Sequence, residues 1–237
     1  MRVLKTLNFK MSIAIIGSSH IAKQSVKEIS EAIYNSQPEI IAIELDQGRA
    51  LALMQNQKNK VSIREILRIG VKGYVFAKIG QLIQQKLGKM VGLAPGSDMK
   101  TALELAQKNH LKVVLIDQPI KTTLKNFSRN LTWKEKGRFV ADLFSGLLLP
   151  KKQLRQLGLE QFDLQKVPPA ELIDKMMSSL KGRYPSVYKS LVEDRNRYMV
   201  RRLVKLAREQ PEAKILAVVV AGHKKGMEEL FNQFDIV

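Results

Sequence analysis

No cysteine occurs anywhere in the 237 residues. Disulfides, thiol nucleophiles and thiolate metal sites are thereby excluded, and the pattern fits a cytoplasmic protein. Histidine is nearly as scarce, with three copies at His20, His110 and His223. Aromatic residues make up 6% of the chain, with a single tryptophan, so stacking platforms for nucleic-acid bases are few. No apolar run approaches the roughly 18 residues that a membrane span requires. The N-terminal stretch MRVLKTLNFKMSIAII has no long apolar core followed by small residues, so no secretory signal is expected. A Walker loop and a G-x-G-x-x-G turn are both missing, which removes support for nucleotide binding. A G-x-S-x-G elbow is missing too, which argues against a serine hydrolase. No Gly/Ser linker or low-complexity segment divides the chain, so residues 1–237 are expected to form one domain.

Acidic residues are in short supply: 22 Asp and Glu stand against 40 Lys and Arg, a net charge of +18. The excess is concentrated in residues 121–210, which hold 20 basic and 9 acidic residues. Such a charge attracts polyanions in general, an anionic membrane surface or nucleic acid included. It equally describes a solvated lysine-rich surface. The absence of any nucleic-acid-binding motif argues against the nucleic-acid reading.

What the chain does contain is an alternation of strands and helices. Residues 12–17 (SIAIIG) and 39–45 (EIIAIEL) are β-branched and apolar, as suits strands buried on both faces of a parallel sheet. Between them Val26, Ile29 and Ile33 recur at helical spacing, with Ser25 and Glu28 placed for a capping box. Residues 47–90 are helical in character. An amphipathic helix over 98–109 precedes a third strand at 112–117, KVVLID. Residues 120–210 read as an almost wholly helical, basic insertion broken at Pro168–Pro169 and Pro185. A last strand at 213–222 and a closing helix complete the order. The expected class is α/β, with a mostly parallel central sheet flanked by helices.

In an open parallel sheet, ligands bind beyond the carboxyl ends of the strands. His20, Glu44, Asp117 and His223 all fall there. Glu44 interrupts an apolar run, and a buried carboxylate requires a partner, a metal or a proton. Asp46, two residues on, faces the same side. A histidine after a strand is often an ordinary loop or capping residue, and Ser18 and Ser19 read as turn and cap. Two histidines with a carboxylate at one edge nevertheless form a donor set for zinc, manganese or iron. Arg195 lies in the stripe of Tyr188, Leu191, Val192, Tyr198, Met199 and Arg202, which is mostly apolar. A guanidinium turned inward needs an anion: Glu44, Asp117 or a group on a substrate. Arg197 and Arg201 belong to the outer face, and His110 reads as an ordinary residue at the end of a helix.

Taken together, these segments resemble the TraB/PrgY family. IIGSSHIAKQSVKEISEAI followed by PEIIAIELDQGRALAL is similar to that family's opening, with its GxxH motif, helix, strand ending in a glutamate and nearby arginine, here Arg49. PGSDMKTALELAQKNHLKVVLIDQPIKTTL is similar to its middle segment, whose strand ends in an aspartate. LVEDRNRYMVRRL and VVAGHKKGMEELF fall where its arginine segment and second GxxH segment fall. The chain departs from the pattern at Val220, which stands where the second motif has glycine, and at Gln118, where the family has arginine. The wider group includes Tiki and GumN-like proteins and is similar in fold to erythromycin esterases and ChaN-like proteins. The resemblance implies a hydrolytic α/β scaffold, with peptidase activity in Tiki proteins and pheromone shutdown in PrgY and TraB. The implied site is His20, Glu44, Arg195 and His223, supported by Arg49 and Asp194. Many members carry a membrane-spanning C-terminal region, so a chain ending at Val237 reads as a short member or a soluble fragment.

The leading expectation is a hydrolase dependent on a divalent metal ion (Mn, Co or Zn), acting on a peptide-like substrate. His20, Glu44 and His223 would hold the metal or handle protons, and Arg195 would stabilise the carbonyl oxygen. The alternative is a non-catalytic protein that sequesters a peptide through the same pocket.

Overall fold

The computed structural model describes residues 13–18, 23–55, 97–148 and 170–234. In chain order these form β1 (Ile13–Ser18), α1 (Lys23–Ser36), β2 (Ile40–Ile43), α2 (Gln47–Met54), α3 (Ser97–Lys108), β3 (Lys112–Leu115), α4 (Ile120–Asn130) and α5 (Trp133–Leu148). Next come α6 (Ala170–Arg183), α7 (Pro185–Tyr188), a π-helical turn (Lys189–Glu193), α8 (Asp194–Glu209), β4 (Ile215–Val220) and α9 (Ala221–Phe234). Most of the helical stretch read over 47–90 lies outside the described residues. So do residues 149–169 of the basic segment, with the break at Pro168–Pro169.

The four strands are all parallel, in the order β1-β4-β2-β3. β4 lies between β1 and β2, with Ile13–Ser18 in register with Ile215–Val220 and Ile40–Ile43 in register with Ile215–Val218. The two central strands read as continuous apolar runs because both faces of the sheet are covered. Side chains alternate between those faces. Ile40, Ala42, Ala217 and Val219 pack with Met199, Val200, Leu203 and Met227 from α8 and α9. Ile41, Ile43, Leu216 and Val218 pack on the other side with Ile29 and Ile33 from α1 and with Met99 and Leu103 from α3. The result is three layers, helix on sheet on helix.

α8 closes the basic segment expected over 120–210, yet it is a core element. Asn196, Met199, Val200, Leu203, Val204, Leu206 and Ala207 form its buried face, at helical spacing. Burying Leu203 alone is worth about 1.5–3 kcal/mol, so this helix is a crossover that anchors to the sheet. Arg197 and Arg201 are exposed on its outer face, as expected. His110 ends α3 with φ 54°, and Leu111 N–H bonds back to Ala106 O at 2.8 Å, so its role there is to close the helix. Among the described residues no helix is long and apolar enough to cross a membrane.

Candidate active site

Three strands deliver acids or a histidine to one end of the sheet. Glu44 directly follows β2, and its N–H still bonds across the sheet to Val218 O at 3.0 Å. Asp117 comes two residues after β3. His223 was expected just beyond the end of the last strand, but α9 begins at Ala221 directly after β4, so this histidine sits in the first turn of a helix. Gly17 permits that arrangement. A Cβ there would stand 3.0 Å from Ala221 Cα, so a larger residue would push β1 and the helix start apart by a few tenths of an ångström. His20 and Ser19 lie outside the described residues. Ser18 is fully buried, and its hydroxyl donates to Asp98 in the first turn of α3.

Arg195 joins the set together. A guanidinium has five N–H donors, and here each has a protein acceptor. Nε donates to Asp117 Oδ1 at 3.1 Å, and Nη2 donates to Asp117 Oδ2 at 2.6 Å and to Glu44 Oε1. Nη1 donates to Leu191 O at 3.3 Å and approaches His223 Nε2 at 3.0 Å. Its anions are therefore both of the carboxylates anticipated. Burial by itself would make the charged arginine less favourable, but the Glu44 and Asp117 carboxylates outweigh it and raise its pKa further. The guanidinium is held by a local irregularity. Asp194 N–H bonds to Lys189 O, five residues back, closing a π turn just before Arg195. Such turns insert one extra residue and re-aim the side chains beyond it, often at functional sites. Asp194 itself, expected in support, makes no side-chain bond with this cluster among the described residues.

The same geometry assigns the protons of His223. Arg195 Nη1 can only donate, so His223 Nε2 must accept, and the ring proton lies on Nδ1. That N–H donates a hydrogen bond to Asn196 Oδ1 at 2.6 Å. Asn196 and His223 are 3% and 5% exposed, so the pair is held away from water. Sequence reasoning missed Asn196. The available signal was a polar residue at helical spacing among Val192, Met199, Val200 and Leu203. It also missed Gly226, where a Cβ would stand 2.5 Å from Asn196 Nδ2. Alanine in a helix is ordinarily better than glycine by about 0.5–1 kcal/mol. Here Gly226→Ala is expected to destabilise by about 1–3 kcal/mol, because a buried, bonded side chain must give way. Urea unfolding of Gly226→Ala, Asn196→Ala and the double variant checks this. The double variant should regain part of the loss caused by the alanine at 226.

A second arginine completes the network. Arg49 donates to Asp117 Oδ2 and, through Nε, to Asp46 Oδ2 at 2.8 Å. Asp46 also caps α2 by accepting Arg49 N–H at 3.0 Å and accepts Ile120 N–H at 3.2 Å, tying α2 to α4. Gln118 N–H donates to Asp117 Oδ1 at 2.8 Å. Burial would raise the Asp117 pKa, but Arg195 and then Arg49 overcome it and hold the carboxyl below the usual aspartate value. A lowered native pKa gives stability that is fully present above the unfolded value. That stability is lost as pH falls through the native one. Unfolding free energy should therefore decline below about pH 4. An Asp117→Asn variant should be less stable than wild type at pH 7 and show a shallower acid decline. Urea titrations at several pH values read both.

Glu44 Oε2 accepts Val220 N–H at 2.7 Å, which leaves Oε1 aimed at His223 Nε2, 3.4 Å away. Glu44 Oε1 and His223 Nε2 are donors of the kind a divalent ion takes, but Arg195 donates to both of them. If an ion bound here, Glu44 would contribute a carboxylate oxygen and His223 a neutral imidazole nitrogen. The outer bond from His223 Nδ1 to Asn196 is the kind that orients ligating histidines. Three carboxylates (Glu44, Asp46, Asp117) also meet only two guanidiniums here. Glu44 and His223 supply two donors, and no group of three or more His, Asp or Glu side chains is placed to hold a metal among the described residues.

The chain is similar to several known proteins along most of its length. The chain is 34% identical to an uncharacterized protein of Methanocaldococcus jannaschii, over 99% of its own length and 56% of that protein's. It is 23% identical to the TraB domain-containing proteins of mouse and human, over 91% of its length and 61% of theirs. The chain thus spans about three-fifths of the length of the curated relatives it matches. Among solved structures, an erythromycin esterase in its open conformation aligns over 88% of this chain and 60% of its own, with 16% identity and a TM-score of 0.32. The family model for TraB/PrgY/gumN matches residues 5–235, which takes in every element from β1 to α9, and the chain belongs to the TraB/PrgY/gumN family.

Proposed function

We propose that this protein is a metal-dependent hydrolase acting on a peptide-like bond at the carboxyl edge of its sheet. One observation carries the reading: Glu44 Oε1 and His223 Nε2 stand 3.4 Å apart, each fixed from behind by a separate hydrogen bond. Glu44 and His223 would hold the ion, with His20 as the third donor implied by the family motif. When bound, the ion supplies Lewis acidity and makes a water easier to deprotonate. The chain's own groups do the rest. Glu44 serves either as a ligand or, when it does not ligate, as the general base that takes a proton from the attacking water and returns it to the leaving amine. Asn196 keeps the His223 proton on Nδ1, so that Nε2 stays a donor of electrons. Arg195 acts first as a positioning residue, since its five donors are engaged within the protein. Its Nη1 bond to Leu191 O, the longest at 3.3 Å, is the one that a developing carbonyl oxyanion would replace.

The test is hydrolysis of a peptide library with added Mn²⁺, Co²⁺ or Zn²⁺. Metal-stimulated cleavage that is absent from the Glu44→Ala variant supports the proposal. Equal cleavage by both proteins, or none by either, rejects it. A second reading has its own observation. Arg195 already bridges Glu44 and His223, so the pair is satisfied with no ion present, as a peptide-sequestering protein without catalysis would require. Peptide binding that survives both Glu44→Ala and His223→Ala would favour it.

A further inference from the structure

Among the described strands β3 lies at one end of the sheet. Lys112 N–H and Ile116 N–H both point inward, to Glu39 O at 3.1 Å and to Ile43 O at 3.0 Å. Backbone direction alternates along a strand, so the N–H and C=O of Val113 and Leu115 face outward. No backbone partner meets them there among the described residues. A groove of about 660 Å³ lies at this edge, lined by Val113, Leu115, Lys121, Tyr198 and Arg202, with Asp117 also in its wall. Asp117 is also bonded to Arg195, so this part of the wall adjoins the cluster.

We propose that this groove binds an extended peptide segment by adding it to β3 as a further strand, and that Arg202 selects an acidic side chain on it. Alternating outward donors and acceptors match a peptide backbone, which offers both, and not a phosphate, which only accepts. The charge is equally specific. The groove's carboxylates, Asp46 and Asp117, are engaged by Arg49 and Arg195. Arg202 is exposed with no ion pair among the described residues, Lys121 adds a second cation to the lining, and Tyr198 offers an aromatic face. The proposal deepens the hydrolase reading and rests on it only in making the Asp117 wall of the groove the place of cleavage.

The experiment separates the two by measuring binding with a chelator present, so that failure of catalysis leaves it untouched. The probes are blocked, fluorescently labelled heptapeptides of alternating β-branched residues with a central Glu or, in the control, a central Lys. Fluorescence anisotropy with wild-type protein should show the Glu peptide binding about fivefold to tenfold tighter than the Lys peptide. Methylating alternate backbone nitrogens should weaken it by at least about tenfold, as lost strand hydrogen bonds require. Arg202→Glu should invert the preference, whereas Arg201→Glu, exposed on the same helix but outside the groove, should not. Absence of binding would overturn the proposal outright, and indifference to N-methylation or equal effects of the two arginine variants would overturn it in favour of diffuse electrostatic attraction.

Discussion

Replacing Arg195 with methionine is expected to cost about 3–5 kcal/mol of folding stability, the usual result of stripping one partner from a buried ion pair. The side chains of Glu44 and Asp117 are 2% and 1% exposed, and Arg195 joins both of them to His223. Methionine fills similar space but provides no donor. Asp117 would keep Arg49, whereas Glu44 would keep its Val220 N–H and lose its guanidinium. A loss of this size is a large fraction of the roughly 5–15 kcal/mol typical of a domain. Urea unfolding at pH 7 measures it. Arg195→Lys should fall in between, since lysine keeps the charge but offers three donors where arginine offers five. A change below about 1 kcal/mol in Arg195→Met would place the pair in the range of exposed salt bridges and contradict the geometry.

Glu44→Gln is expected to reduce metal-stimulated hydrolysis by about 10²–10⁴-fold, the range for loss of a general base. The substitution keeps shape and removes charge. A glutamine also brings an NH₂ group into a place where Val220 N–H and Arg195 Nη2 both donate, so one donor meets another. That mismatch costs roughly 1–3 kcal/mol of stability, so the rate must be expressed per folded molecule. Kinetics alongside circular dichroism separate the two effects. A variant that is fully folded and fully active would remove Glu44 from the chemistry.

The central strands were legible in the sequence because both of their faces are buried, which leaves no polar alternation to confuse the pattern. The acids were legible for the converse reason. Glu44 stands inside an apolar run, and Asp117 ends one. Arg195 could be placed inward because its neighbours at helical spacing are mostly apolar, even though the π turn before it breaks the regular 100° step. Other features depend on contacts between distant parts of the chain and leave no local trace. Arg49 reaches Asp117 across 68 residues, and Asn196 reaches His223 across 27. Gly226 is needed only because α8 comes within 2.5 Å of where its Cβ would be. The start of α9 directly after β4 was hidden as well, because Ala221 and Gly222 continue the small and apolar run and read as the end of the strand. It is Gly17, 204 positions earlier, that makes room for the helix to begin at once.

Convergence of Glu44 and His223 on a metal ion is the property on which the proposed chemistry depends. Equilibrium dialysis against Mn²⁺, Co²⁺ and Zn²⁺, with bound metal counted by mass spectrometry, tests it most directly on wild type, Glu44→Gln and His223→Ala. Wild type is expected to bind at least one of these ions near stoichiometrically. Both variants are expected to lose that binding while still folded by circular dichroism. Wild-type protein that binds none of the ions, or variants that bind as wild type does, would contradict it.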